Sequence, residues 1–146
     1  MPVDVMADVV IDRPCKDVAA YASDLSNVSD WYESVESVSW KTPPPLAAGS
    51  QLDIVVSVLG RRTTYGYEIL DFVPSERLVM RTSTGPLAME TIYTWAPIDD
   101  GRTRMAIRNH GEPSGFAKLS APMMSAGIRR SSQRDLKTLK RILEER

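Results

Sequence analysis

The sequence predicts an α+β fold in which an antiparallel sheet of about seven strands packs against one long C-terminal helix. Three observations lead there. Between Val35 and Asn109 the chain alternates apolar and polar residues in short runs, the period of half-buried strands. The runs are joined by turns too short for crossover helices, so successive strands are antiparallel neighbours. Helical periodicity returns only near each end: briefly after the first strand, and from Ser114 to Arg146 with Leu119, Met123, Met124, Ile128, Leu136, Leu139, Ile142 and Leu143 on one stripe.

Each element follows from its residues. Val3 to Ile11 is rich in β-branched and apolar side chains and forms the first strand. Arg13-Pro14 ends it, and Pro14 suits the first turn of a helix. Cys15 to Ala22 is that helix; Asp24 to Glu33 is a second short one, with Leu25, Val28 and Trp31 (or Tyr32) at three-residue spacing. Val35 to Trp40 is a strand, and Pro43-Pro44-Pro45 is a stiff connection leading to Gly49. Leu52 to Val58 carries Leu52, Ile54, Val56 and Val58 on one face. After a Gly60-Arg61 turn, Thr63 to Phe72 alternates through Tyr65, Tyr67 and Ile69. Leu78 to Thr82 follows the Pro74–Arg77 turn. Gly85-Pro86 leads into Met89 to Trp95, where Met89, Thr91, Tyr93 and Trp95 share a face. Asp99-Asp100-Gly101 is a hairpin turn, and Thr103 to Asn109 aligns Thr103, Met105, Ile107 and Asn109. Gly111 to Gly115 is a loop. Pro122 falls in the first turn of the last helix, which from there to Glu145 is roughly 36 Å long at ~1.5 Å per residue.

The totals bound the class. At 146 residues the chain makes one domain, spanning 1–146, with a core of its own. A formal net charge of -1 gives no overall attraction to nucleic acid or an anionic membrane. That average hides a split: residues 118–146 carry eight Lys/Arg against three acids, net +5, which leaves -6 for the remainder. Cys15 is the single cysteine, so no intrachain disulfide forms. Met-Pro-Val-Asp-Val has neither a basic nor an apolar leader region, and no run approaches the ~18 apolar residues of a membrane span. The expectation is a cytoplasmic protein, monomer or homodimer, with no stable membrane insertion and no nucleic-acid partner.

Several segments together resemble a known family. Ile11-Asp12-Arg13-Pro14, a helix around Val18, Ser23-Asp24-Leu25 and Asp30-Trp31-Tyr32-Glu33-Ser34-Val35 look like the START-like, birch-pollen-allergen-like superfamily. The closer similarity is to its bacterial polyketide cyclase/dehydrase and lipid-transport members. Gly49-Ser50, Phe72-Val73-Pro74-Ser75-Glu76-Arg77-Leu78, Asp100-Gly101-Arg102-Thr103 and Leu139-Lys140-Arg141-Ile142-Leu143-Glu144 fit in order and spacing. The resemblance implies a helix-grip fold: a strongly curved antiparallel sheet wraps the C-terminal helix, and a cavity for a hydrophobic ligand lies between them. It carries no catalytic signature across the superfamily, and fold alone does not decide function.

The candidate chemistry is weighed against plain packing. His110 is the lone histidine, with no companion ligands at metal spacing and, by alternation, pointing away from Ile107 and Asn109; it is expected at an exposed rim. Cys15 in a first helical turn is placed for a lowered pKa, but with no fixed His or Lys partner the preferred reading is a half-buried structural thiol. Asp53 and Glu68 alternate outward, and no inward acid–base pair is assignable, so no catalytic residue is named. Tyr65, Tyr67 and Tyr93 face inward with Trp95 and Asn109; phenols there contact a ligand carbonyl or pack with their hydroxyls at the core edge. Met80, Met89, Met105, Met123 and Met124 face the same interior and suit an adaptable cavity. Arg129, Arg130, Arg134, Lys137 and Arg141 form one solvated helix face.

The expected function is binding, with transport as an extension, of a small hydrophobic molecule such as a lipid or polyketide, without cofactor or metal. The alternative is a polyketide cyclase or dehydratase working in the same cavity. On the sheet side the lining is Leu52, Ile54, Val56, Tyr65, Tyr67, Met80, Met89, Tyr93, Trp95, Met105, Ile107 and Asn109. On the helix side it is Met124 and Ile128 with Ser131 and Ser132 as polar contacts. Trp31 sits near the mouth. Met123 to Ser132 borders the cavity, Leu136 to Leu143 is the packed anchor, and the helix brings no acid or base to the cavity.

Overall fold

A computed structural model gives the fold and describes residues 3–58, 60–85, 88–112 and 121–146. The expected positions of Pro86, Ser114, Lys118 and Leu119 lie outside the described residues. Strand β1 (Val3–Ile11) is followed by α1 (Cys15–Ser23), a 3-10 turn (Leu25–Asn27) and α2 (Val28–Trp31). Then come β2 (Val35–Trp40), β3 (Gln51–Val58), β4 (Arg61–Val73), β5 (Arg77–Thr84), β6 (Ala88–Asp99), β7 (Arg102–Glu112) and α3 (Ala121–Glu144). The strands form one antiparallel sheet in the order β1-β7-β6-β5-β4-β3-β2. The α+β helix-grip expectation therefore holds. Strands β3 to β7 extend beyond their expected bounds, and two further differences have a clear cause or consequence. The second helical segment is split, because Asp24 accepts from the Ser26 N–H and sets up a 3-10 turn before α2. Gly111 belongs to β7 and not to a loop.

The alternation of the sequence decides which face is buried. In β1, Val3, Val5 and Ala7 point inward while Asp4, Met6 and Asp8 are exposed. The outer charges pair across strands: Asp4 with Arg108 at 2.7 Å and Asp8 with Arg104 at 3.4 Å. Register shifts in the β2–β3, β4–β5 and β6–β7 pairs mark bulges, which bend strands and deepen sheet curvature. Gly111 lies where a Cβ would overlap the Ala88 carbonyl oxygen, so only glycine lets β6 and β7 approach so closely there.

The second half of α3 anchors the helix. Leu136 and Leu139 are 0 % exposed and join Ile11, Val18, Leu25, Leu78, Met105 and Ile107 in one core. Polar side chains of α3 also cover the free edge of β1. Gln133 donates to the Asp8 carbonyl at 2.9 Å, Lys140 donates to the Val10 carbonyl at 2.9 Å, and the Asp12 N–H donates to Glu144 at 2.8 Å. An edge strand otherwise presents unpaired backbone groups. Arg13 donates to the Leu143 carbonyl at 2.9 Å, placing a cation at the helix C-terminus where the dipole favours it. No helix among the described residues is long and apolar enough to cross a membrane.

Candidate functional site

The first half of α3 stands away from the sheet and leaves a cavity of about 520 Å³. Its walls come from the concave face of β3–β7, from α3, and from the segment between the 3-10 turn and β2. Of the residues expected to line it, Ile54, Val56, Tyr65, Tyr67, Met80, Met89, Tyr93 and Asn109 do so from the sheet. Met124, Ile128, Ser131 and Ser132 do so from the helix. Met123 also lines it but is 65 % exposed, so it stands at the mouth and not in the interior.

Five expected lining residues lie elsewhere. Leu52, Trp95, Met105 and Ile107 are on the inward faces but farther along their strands, packed into the core cluster that includes Leu136 and Leu139. Trp31 is not at the mouth: it is 1 % exposed, the last residue of α2, and its ring tilts against Tyr93 at 5.8 Å between centroids. Tyr32 takes the cavity position instead, because the backbone turns extended there and swings the next side chain the other way. Leu25, Val28, Ser34, Val35, Thr82 and Thr91 complete the wall, together with Gly127 and Asp135. Thr91 and Thr82 share strand faces with Met89 and Met80, so the alternation already pointed them inward.

The polar groups divide into separate stations. Tyr93 donates to the Tyr32 hydroxyl at 2.7 Å. Thr91 donates to the Asn109 side-chain carbonyl at 2.7 Å, and the Asn109 amide reaches Ser132 at 3.4 Å. The Tyr65 and Tyr67 rings are tilted against each other, 6.4 Å between centroids. Burial raises all four cavity phenols: Tyr67 to about 12, Tyr65 less, and Tyr32 and Tyr93 beyond any physiological range. They are hydrogen-bond donors, not bases.

Asp135 corrects the expectation that the helix brings no acid to the cavity. It is 3 % exposed and lines the cavity one turn below Ser131 and Ser132. The Glu33 N–H donates to its Oδ1 at 3.2 Å, and Arg134 lies 3.5 Å from the same oxygen while pairing with Glu33 at 2.7 Å. Burial raises its pKa, against the lowering effects of the Glu33 N–H and Arg134. The signal in the sequence was the break in the apolar stripe at Ser131, Ser132 and Asp135.

A pH dependence follows. With the folded pKa above the ordinary 3.8, the fold favours protonated Asp135, so this group's contribution is largest below 3.8 and is lost as pH rises through the folded value. The stability of the wild type relative to Asp135→Asn is therefore expected to decline as pH rises above about 4. Urea midpoints of both proteins across that range measure it, and a difference independent of pH contradicts it.

The other candidates stay outside the cavity. Asp53 pairs with Lys41 at 3.6 Å and Glu68 with Arg81 at 3.1 Å on the outer face. His110 is half-buried beside Glu90 at 3.3 Å, cross-strand and not at an exposed rim. Burial raises the Cys15 thiol, which contacts the Ser75 carbonyl at 3.6 Å, the surroundings of a half-buried structural thiol. Among the described residues no cluster of His, Cys, Asp or Glu is arranged to hold a metal. Arg129, Arg130, Arg134, Lys137 and Arg141 line the solvent side of α3.

A curved antiparallel sheet gripping a terminal helix over a mainly apolar cavity defines a START-like ligand-cavity domain. The chain belongs to the polyketide cyclase / dehydrase and lipid transport family, whose model matches residues 2–144. Among solved structures it resembles the Zhui aromatase/cyclase from Streptomyces sp. R1128, with a TM-score of 0.82 and 20 % identity over 100 % of this chain and 96 % of that one. A START superfamily protein from Mycobacterium smegmatis gives 0.82 at 14 % identity, covering 97 % of each chain. Ara h 8.0201 gives 0.75 at 11 % identity, covering 100 % of both. At these identities the likeness is one of fold. No curated protein matches the sequence.

Proposed function

We propose that the protein binds, and thereby carries, a small hydrophobic molecule such as a lipid or a polyketide between the sheet and the first half of α3. The observation that carries this reading is the cavity itself: about 520 Å³, within the range that encloses a small-molecule ligand, with walls dominated by aliphatic, aromatic and methionine side chains. Methionines at Met80, Met89, Met123 and Met124 adapt to irregular apolar shapes. The family description joins polyketide chemistry and lipid transport, and both involve largely apolar molecules. On this reading residues 1–146 act as one ligand-binding domain in the cytoplasm, without cofactor, as monomer or homodimer.

Native mass spectrometry of the protein purified from its own host is expected to reveal a co-purifying apolar ligand. Fatty acids, sterols or polyketide-like aromatics are expected to raise its melting temperature, since a ligand that binds only the folded state stabilises it. No adduct and no shift with any class overturns the proposal.

The second reading, a polyketide cyclase or dehydratase, is favoured by one observation: Asp135 and the Tyr32–Tyr93 pair enter the same cavity. Against it, the polar side chains are spread over several stations. Asn109 is engaged by Thr91 and Ser132, and Tyr93 by Tyr32, so they do not converge on one reacting atom.

A further inference from the structure

The mouth and the floor of the cavity differ in chemistry. Met123, Met124 and Met89 surround the N-terminal end of α3, while Asp135 and the Tyr32–Tyr93 pair lie at the opposite end, where the leucine anchor begins. At this floor two hydrogen-bonding capacities are unused. Tyr93 spends its proton on Tyr32, so the Tyr32 hydroxyl keeps a proton with no acceptor among the described residues. Asp135 is engaged through Oδ1 alone, and its Oδ2 has no donor among the described residues. The Glu33 N–H that Asp135 accepts belongs to the residue next to Tyr32, yet no hydrogen bond joins the Tyr32 and Asp135 side chains. A free donor and a free acceptor therefore sit near each other at the closed end of an apolar cavity.

We propose that this floor is a recognition site for a hydroxyl group, so that the ligand is an apolar molecule held hydroxyl end down, donating to Asp135 and accepting from Tyr32. The inference rests on the reading of the cavity as a ligand site and specifies what that ligand carries. Other end groups fit worse. A carboxylate meets the Asp135 charge. An ether oxygen accepts from Tyr32 but leaves Asp135 unpartnered. A hydrocarbon strands both groups, and a buried charged acceptor left without a donor is among the costlier omissions in a binding site.

The test is a comparison of matched probes: 2-naphthol against 2-methoxynaphthalene, and 1-dodecanol against its methyl ether, titrated by calorimetry into the wild type, Asp135→Asn and Tyr32→Phe. In at least one pair the hydroxyl compound is expected to bind about tenfold or more tightly than its ether to the wild type, as for a hydrogen bond to a charged group. That ratio is expected to fall toward one in both variants. The ratio within each protein is insensitive to a general loss of stability; if Asp135→Asn does not fold, Tyr32→Phe decides. Probes that bind the wild type without distinguishing hydroxyl from ether overturn the hydroxyl site and leave the cavity reading standing. A ratio that survives both substitutions also overturns it. Binding of none of the four overturns both.

Discussion

Gly127→Phe is expected to weaken binding of any cavity ligand by at least about tenfold while leaving the protein as stable as the wild type or more so. Gly127 lies on the cavity side of α3, and a Cβ built there meets nothing within 4 Å among the described residues. Among the described residues the space beside it is open, so a larger side chain enters without displacing their backbone. Side chains on a helix lean toward its N-terminus, so the ring lies toward Met123 and Met124, over the mouth. Removing a mid-helix glycine recovers up to roughly 0.5–1 kcal/mol of backbone entropy, less the smaller helix preference of phenylalanine. Gly127→Ala provides the control: similar stabilisation with the mouth still open. The readouts are a thermal melt and titration with a fatty acid or 2-methoxynaphthalene. Undiminished binding in the phenylalanine variant shows that ligands do not use this cavity.

The second large effect concerns stability. Leu139→Ala is expected to cost about 2–5 kcal/mol, because Leu139 is 0 % exposed and its deletion leaves a void that close-packed neighbours fill only in part. Ile128→Ala, three turns earlier on the same stripe, is expected to cost clearly less. Ile128 already borders open space, so truncating it enlarges an existing cavity instead of creating one. Against a typical domain stability of about 5–15 kcal/mol, the first change is a large fraction of the total. Urea unfolding of both variants measures the contrast. Equal losses would mean that the two halves of α3 are packed alike, contrary to the division into border and anchor.

The same division shows how much of this protein is legible in its residues. Alternation along β6 put Met89, Thr91, Tyr93 and Trp95 on one face, and all four are indeed buried. Yet Met89, Thr91 and Tyr93 line the cavity while Trp95 is packed beneath it. A period of two specifies a side of the sheet and carries no information about position along the strand axis relative to the helix. Leu52, Met105 and Ile107 were misplaced for the same reason. Trp31 and Tyr32 illustrate a different gap. Three-residue spacing allowed either to face inward, and the choice was made by where α2 ends and the backbone becomes extended.

Asp135 lay in plain view as a break in the apolar stripe of α3, but its role required a partner distant in sequence. Only the folded chain brings the Glu33 N–H, 102 positions away, to its carboxylate and sets the Tyr32–Tyr93 pair nearby. His110 and Cys15 show the converse. Their residue types suggested reactivity, and their surroundings, Glu90 across a strand and the Ser75 carbonyl, are structural contacts.

The sequence by itself determined the order of strands and helices along the chain, the inward faces and the amphipathic terminal helix, because these depend on local periodicity and turn chemistry; the order and spacing of its motifs carried the family resemblance. The tertiary structure alone decided where packing stops and the cavity begins, and which polar groups meet at its floor. Those depend on how far the curved sheet stands from the first half of α3. That distance is set by contacts between residues far apart in the chain.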